Sequence, residues 1–63
     1  MPEPDPDQLL DPEEVSRILK VPVTTLYRWR HFGTGPAAYR IGRHLRYRRR
    51  DVQRWTERQK IRS

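Results

Sequence analysis

Arginine is the residue type that most distinguishes this sequence, and its guanidinium group is suited to binding phosphate or carboxylate. Of the 63 residues, 14 are Lys or Arg, and all of these lie in residues 15–63, where only Asp51 and Glu57 oppose them. The other six acidic residues lie in residues 1–14, which contain no basic residue. Positive charge of this density predicts a polyanionic partner, for which nucleic acid is the obvious candidate. The alternative is a basic surface that only keeps the chain in solution.

The sequence offers little for catalysis or for holding a metal ion. His31 and His44 are thirteen positions apart, no carboxylate accompanies them at ligand spacing, and the chain contains no cysteine. There is no nucleophile with a nearby base and no phosphate-cradling glycine loop. We therefore predict a protein that is not an enzyme and that uses no metal or other cofactor. With no long apolar run and an acidic rather than basic N-terminus, the expected location is cytoplasmic, with no membrane partner.

Two short helices joined by a tight turn must position part of the basic surface. Asp11-Pro12-Glu13-Glu14 predicts a helix start, with Asp11 as N-cap and Glu14 completing a capping box. This helix is expected to end near Lys20, before Pro22. A second helix is predicted from about Val23 to Phe32, closed by Gly33, with apolar residues at every third position. Those apolar residues are Val23, Leu26, Trp29 and Phe32.

A β-hairpin, or wing, is predicted after the loop at residues 33–36. If Gly42-Arg43-His44 forms a three-residue loop, Ile41 faces Leu45, Arg40 faces Arg46 and Tyr39 faces Tyr47. The odd positions then put four apolar or aromatic side chains on one face, and the even positions put two arginines on the other. A two-residue loop mixes these classes, so we favour the three-residue loop. Two arginines directly opposite each other are reasonable if their face meets phosphate.

A third helix is expected from Arg50 or Asp51 to about Lys60, with Val52 and Trp55 pointing inward. The fold class predicted is mainly α with a small β-hairpin: a winged helix-turn-helix of three short helices and a two-stranded wing. We expect residues 1–8 to be a disordered acidic and proline-rich arm that buries nothing, residues 9–60 to be the domain, and residues 61–63 to be a tail. The predicted core side chains are Leu26, Trp29, Ile41, Leu45, Tyr47 and Trp55.

Four stretches resemble the excisionase family of small winged-helix proteins, which is related to the DNA-binding domain of MerR-type regulators. They are Leu-Leu-Asp-Pro-Glu-Glu-Val-Ser-Arg-Ile-Leu (9–19), Val-Pro-Val-Thr-Thr-Leu-Tyr-Arg-Trp-Arg (21–30), Gly-Pro (35–36) and Arg-Ile-Gly-Arg-His-Leu-Arg-Tyr-Arg-Arg-Arg-Asp-Val (40–52). The resemblance covers roughly residues 9–58. The sequence departs from the family pattern at two positions. At Pro22 the family usually has a serine that caps the second helix, and at Arg50 it commonly has a serine or threonine that caps the third.

The resemblance implies that the second helix enters the major groove of DNA and that the wing tip reaches the neighbouring minor groove or the backbone. It also implies that several copies bind side by side on repeated sites and bend the DNA. Excisionases in this way set the direction of recombination by an integrase, so the expected partners are double-stranded DNA, an integrase and neighbouring copies of the chain.

On the second helix, Arg28 is the first candidate for contact with a base or a phosphate, because a guanidinium can grip the O6 and N7 atoms of guanine. Pairing along the helix is its alternative role. Thr24 and Thr25 lie in the first helical turn, where their hydroxyls either meet DNA or cap the helix. Tyr27 either reaches a phosphate or packs against the first helix. His31 completes the predicted DNA-facing set of this helix.

On the wing, Arg43 and His44 lie at the predicted tip, where a long basic side chain can enter a narrow minor groove. Arg40 and Arg46 are predicted to share the outer face and to contact the DNA backbone. Arg48 and Arg49 continue the basic run, either at the DNA-facing edge or as a solvated cluster.

The leading hypothesis is an excisionase, a recombination directionality factor. The sequence shows no coiled-coil helix of the kind that MerR-type regulators append, which favours this function. A small transcriptional or plasmid-control regulator with the same domain is the alternative. Two further functions are alternatives. One is binding of single-stranded nucleic acid or RNA, which the helix-turn-helix order disfavours, and the other is an adaptor that binds an acidic protein.

Overall fold

Within residues 4–61, which the computed structural model describes, the chain forms three short helices and three short strands. In chain order these elements are β1 (Leu9–Leu10), α1 (Pro12–Leu19), α2 (Val23–His31), β2 (Tyr39–Ile41), β3 (His44–Arg48) and α3 (Arg49–Arg58). The three predicted helices and the predicted hairpin are therefore confirmed, and the arrangement is a winged helix-turn-helix. No helix in this part of the chain is long and apolar enough to cross a membrane.

Helix α1 begins with the capping box that the sequence predicts. The Asp11 carboxylate accepts a hydrogen bond from the Glu14 backbone N–H at 2.7 Å, and the Glu14 carboxylate accepts one from the Asp11 N–H at 3.2 Å. Pro12 occupies the first helical turn, where its missing N–H is not needed. The last helical residue is Leu19, and the C-cap residue Lys20 has a left-handed backbone with a φ of 58°. This turn starts the short link to α2.

Helix α2 is closed by Gly33, as predicted, although its last helical residue is His31 rather than Phe32. The Gly33 N–H donates to the Arg30 carbonyl at 3.1 Å, and the Thr34 N–H donates to the Trp29 carbonyl at 2.7 Å. With Gly33 at a φ of 71°, these two bonds form a Schellman motif.

The core is made of five buried side chains, each from a different element. They are Leu10 of β1, Val15 of α1, Leu26 of α2, Tyr47 of β3 and Val52 of α3. Trp29 packs at the edge of this core and lies against Trp55 of α3, with ring centroids 5.0 Å apart. The core therefore joins every element except β2.

Two side chains assigned to apolar positions are exposed instead. Phe32 is 70% exposed because α2 ends just before it, so the helical spacing that predicts its burial no longer applies there. Ile41 is 48% exposed because it lies on the outer face of the wing. The assignment of Ile41 to the core is therefore wrong.

The wing has a two-residue turn, so the predicted three-residue loop is wrong. The pairs across the ladder are Ile41–His44, Arg40–Leu45 and Tyr39–Arg46. Gly42 has a φ of 62° and Arg43 is not left-handed, which matches a type II′ turn with glycine at its first central position. The alternation of side chains misled the prediction, because β2 and β3 place their aromatic residues on opposite faces. As a result, Arg40 lies on the same face as Leu45 and Tyr47, and it does not share a face with Arg46.

A third strand completes the sheet, in the order β1-β3-β2. Leu9 pairs with Arg48 and Leu10 pairs with Tyr47 in an antiparallel ladder. Strand β1 was not predicted from the sequence, since a strand of two residues is too short to show alternation.

The segment just before β1 contacts α3, which differs from the disordered arm predicted for residues 1–8. Arg48 provides no side-chain cap for α3, and backbone carbonyls replace it: the Arg49 N–H donates to the Gln8 carbonyl and the Arg50 N–H to the Pro6 carbonyl, each at 2.9 Å. The Asp7 carboxylate lies 3.0 Å from the Arg50 guanidinium. Residues 5–8 thus serve as the missing cap.

Helix α3 starts one residue earlier than predicted and ends at Arg58 rather than near Lys60. Residues 1–3 of the predicted arm and residues 62–63 of the predicted tail lie outside the described residues.

Gly35 is the glycine whose replacement should damage the fold most. Its φ is 82°, and a Cβ there would lie 2.9 Å from the Trp29 Cβ, whereas a Cβ on Gly33 would meet nothing within 4 Å. We expect Gly35→Ala to lower the free energy of unfolding by about 2–4 kcal/mol, the sum of a left-handed backbone and a clash. The matched variant Gly33→Ala should lose only about 1 kcal/mol, for the left-handed backbone alone. Urea denaturation of both variants checks this, and equal losses would contradict the packing of the loop against Trp29.

Candidate nucleic-acid interface

Four of the five side chains predicted to face DNA from α2 are exposed in the structure. They are Thr24, Tyr27, Arg28 and His31, while Thr25 is partly buried. Tyr27 is 51% exposed, so it is not packed away beneath α1. The His31 ring meets the Phe32 ring edge-on at 5.1 Å. These side chains present hydroxyl, phenol, guanidinium and imidazole groups along one side of a short helix.

The start of α2 carries no side-chain cap. Its N-cap residue is Pro22, and neither Thr24 nor Thr25 takes over the role with its hydroxyl. The sequence leaves two roles open for these threonines, contact with DNA and helix capping. In the described residues, neither hydroxyl caps the helix. The first backbone N–H groups of α2 and the Thr24 hydroxyl remain available to an external acceptor, which is the arrangement that phosphates favour.

The corrected register of the wing turns Arg40 toward α2. Tyr27 and Arg30 from α2, together with Arg40, Arg43 and Leu45 from the wing, line a cleft of about 190 Å³. Arg43 lies in the two-residue turn and is exposed, so the cleft opens at the wing tip. The second helix and the wing thus share one concave surface lined by three guanidinium groups and a phenol, and we call it the helix–wing cleft.

Among residues 4–61, no carboxylate lines the helix–wing cleft, so its three arginines repel one another without a counter-ion from this part of the chain. Within residues 4–61 the ion pairs are Arg48–Asp7 and Arg50–Asp7, both elsewhere on the surface. An anion placed between the arginines relieves this repulsion. A phosphate suits the site, because guanidinium groups and phenols both donate to phosphate oxygens.

The phenol of Tyr47 lies beneath this cleft. Burial raises the pKa of Tyr47, the nearby Tyr27 phenol raises it further, and the Arg30 guanidinium acts in the opposite direction. The core residue that anchors β3 is therefore in electrostatic contact with the two α2 residues of the cleft. Packing inside the domain and the geometry of the cleft are set by the same side chain.

Three predicted wing residues lie apart from the cleft, on the outer face of the sheet. The partly buried Arg46 donates to the neighbouring Leu45 carbonyl at 2.7 Å. Arg48 stacks over the Tyr39 ring at 5.2 Å and lies 3.6 Å from the Asp7 carboxylate. His44 is exposed on this outer face, next to the turn. The structure therefore brings Arg40 and Arg43 together with α2, and it does not bring His44, Arg46 or Arg48 there.

Arg30 is the cleft residue that was not predicted from the sequence. It lies three positions after Tyr27, so the two side chains share a side of the helix, and that spacing alone could have identified it. In the described part of the chain, no three His, Asp or Glu side chains are grouped so that they could hold a metal ion.

A family model described as a helix-turn-helix domain matches residues 9–60, which include all six elements up to the end of α3. The chain belongs to the helix-turn-helix domain family. This family includes excisionase-like DNA-binding proteins, and membership of it implies that the domain binds DNA. A search of curated proteins finds no match to the chain.

Arg30 provides a direct test of the helix–wing cleft. If its guanidinium binds one backbone phosphate, Arg30→Ala should weaken duplex binding about fivefold to tenfold and reduce the slope of log affinity against log salt by about one phosphate's share. Arg58→Ala, which removes the same charge from the far end of α3, is the matched control. Fluorescence anisotropy with a labelled duplex at several salt concentrations measures both. Equal losses for the two variants would show that only net charge matters.

Proposed function

We propose that this protein is a sequence-specific double-stranded DNA-binding protein of the excisionase type. In this proposal it binds repeated sites cooperatively and bends the DNA, so that an integrase recombines it in one direction. The observation that carries the proposal is the helix–wing cleft, in which Arg30 of α2 and Arg40 and Arg43 of the wing converge. The resemblance to excisionases and the membership of a family that includes excisionase-like proteins support the choice of this function.

The cleft fits the path of a DNA strand between two grooves. When α2 lies in the major groove and the wing tip reaches the adjacent minor groove, the sugar-phosphate backbone that separates them must pass between α2 and the wing. The cleft lies at that position and offers guanidinium groups and the Tyr27 phenol. In this proposal those groups fix the register of the protein on the duplex, without reading its sequence.

Sequence is read by side chains on either side of this strand. Arg28 is exposed on α2 and makes no ion pair in the described part of the chain, so its guanidinium is available to grip guanine in the major groove. Thr24 and His31 lie on the same exposed side and add shorter contacts. In this proposal Arg43, which is carried on a tight turn, enters the minor groove, where narrow A·T-rich tracts attract arginine.

A single domain of this size makes a small interface. Single modules of this kind bury about 600–1,000 Å² on DNA, so specific binding by one copy is weak. Several copies on adjacent sites add their affinities, and contacts between neighbours supply cooperativity. A row of copies that each grip both grooves also favours a curved duplex, which is the role that the excisionase proposal requires.

Stepwise assembly on DNA tests the proposal. We expect titration with a duplex from the region upstream of the protein's own gene to give a ladder of complexes, with later steps at lower protein concentration than independent sites require. A circular-permutation assay on the same DNA should show a bend. Arg28→Ala should abolish the preference for this duplex over random DNA and leave the weaker general binding in place.

The possible outcomes distinguish the excisionase role from regulation of transcription or plasmids and from nonspecific DNA binding. A single, unbent, sequence-specific complex would contradict the excisionase role and leave a small transcriptional or plasmid-control regulator. Equal weak binding to every duplex would contradict sequence-specific recognition altogether, because only the general electrostatic attraction would remain.

A further inference from the structure

The outer face of α3 carries a second group of arginines that takes no part in the helix–wing cleft. Arg50, Arg54 and Arg58 recur at every fourth position, so they line one side of the helix about 6 Å apart along its axis. This side lies opposite Val52, which is buried in the core. Arg54 and Arg58 are exposed, and neither belongs to the ion pairs of residues 4–61. We call these three residues the α3 arginine row.

An apolar groove runs beside this row, between α1 and α3. It has a volume of about 360 Å³, and its lining is Ile18, Leu19, Val52, Gln53, Thr56 and Glu57. Ile18 is 46% exposed, although it lies on the apolar side of an amphipathic helix. Gln53 and Glu57 also line a shallower depression among the three arginines, so the groove and the row form one continuous surface.

One end of the row already holds a carboxylate. Asp7 lies 3.0 Å from the Nη1 atom of Arg50, and it also approaches Arg48 at 3.6 Å. The Asp7 N–H in turn donates to the Asp5 carboxylate at 2.9 Å, so this segment brings two acidic side chains to the start of α3. Arg50 is thus paired with the carboxylate of an extended segment of the chain, whereas Arg54 and Arg58 have no such partner in the described residues.

We propose that the α1–α3 groove and the α3 arginine row form a docking surface for an acidic amphipathic segment of a partner protein. Apolar side chains of the segment fill the groove beside Ile18, and its Asp or Glu side chains pair with Arg54 and Arg58. This occupant uses both features of the surface. A DNA backbone would meet the arginines but would leave the groove unfilled, and it would bring phosphates next to the Glu57 carboxylate.

This surface is separate from the one that binds DNA in the proposed function. None of its residues lines the helix–wing cleft, and α3 contacts α2 through Trp55, which lies on the inner side of α3. A molecule bound to DNA through α2 and the wing therefore keeps the α3 arginine row available. The domain becomes a connector, with DNA on one surface and a protein on another.

A synthetic helical peptide can test the docking surface on the full chain. In the probe, leucine recurs every three or four residues and glutamate fills most other positions; a scrambled peptide of the same composition has no apolar side. We expect the probe, followed by fluorescence anisotropy, to bind more tightly than the scrambled peptide. Arg54→Glu/Arg58→Glu should weaken its binding about tenfold or more. Arg40→Glu/Arg43→Glu makes the same charge change in the helix–wing cleft and should have a much smaller effect.

Further variants keep the test decisive. If the double glutamate variant does not fold by circular dichroism, Arg54→Gln/Arg58→Gln takes its place, and Ile18→Ser tests the groove independently of charge. Equal binding of the two peptides, or equal losses from the α3 and wing variants, would overturn the proposal in favour of general charge attraction. Displacement of the probe by a short duplex in the wing variant would assign the face to DNA instead. Self-association of the free chain that Arg54→Glu/Arg58→Glu abolishes would assign it to a second copy.

Discussion

The packing of Tyr47 is the constraint on which the rest of this structure depends. It is 1% exposed, it is the side chain that β3 contributes to the core, and its backbone pairs with Leu10 of β1. Because Tyr47 must face inward, Leu45 and Arg40 face the same way across the ladder. The inward orientation of Tyr47 therefore places Arg40 on the side of the sheet that faces α2, and Arg46 and Arg48 on the outer side. The helix–wing cleft therefore follows from the core.

A domain this small has few ways to stabilise its elements, and the chain uses its N-terminal segment as one of them. Helix α3 starts at three consecutive arginines and lacks a side-chain cap, a combination that the helix dipole disfavours. Residues 5–8 supply backbone acceptors and a carboxylate at that point, and the Gln8 side chain accepts from the Arg49 guanidinium at 3.1 Å. Asp7, one of the acidic residues in the first part of the chain, thus has a structural role at the start of α3.

The elements of the fold could be read from the sequence where the signal is local. Asp11, Pro12 and Glu14 are consecutive or nearly so, and the capping box that they predict is present. Gly33 likewise predicts the end of α2, since a left-handed residue is required there. The contacts of residues 5–8 could not be predicted, because their partners are about forty positions away and acidic, proline-rich composition is also typical of disorder.

The candidate site was predicted less well, because its geometry depends on the wing register. Alternation in residues 39–47 fits a three-residue loop, and only the left-handed Gly42 distinguishes the two-residue turn that forms. The wrong register placed Arg40 beside Arg46. It therefore gave no indication that Arg40 and Arg30 line the same cleft, and Arg30 was not among the predicted site residues. On α2, in contrast, the 3.6-residue period correctly separates the buried Leu26 from the exposed Tyr27 and Arg28.

The most direct test of this account is to follow the backbone amide NMR signals of the chain as a short duplex is added. The account predicts that the largest shifts occur together in α2 and the wing, at Thr24, Arg28, Arg30, Arg40 and Arg43, with little change at Arg54 and Arg58. Largest shifts along α3 or in residues 5–8, with α2 and the wing unchanged, would contradict the claim that the helix–wing cleft is the DNA-binding surface.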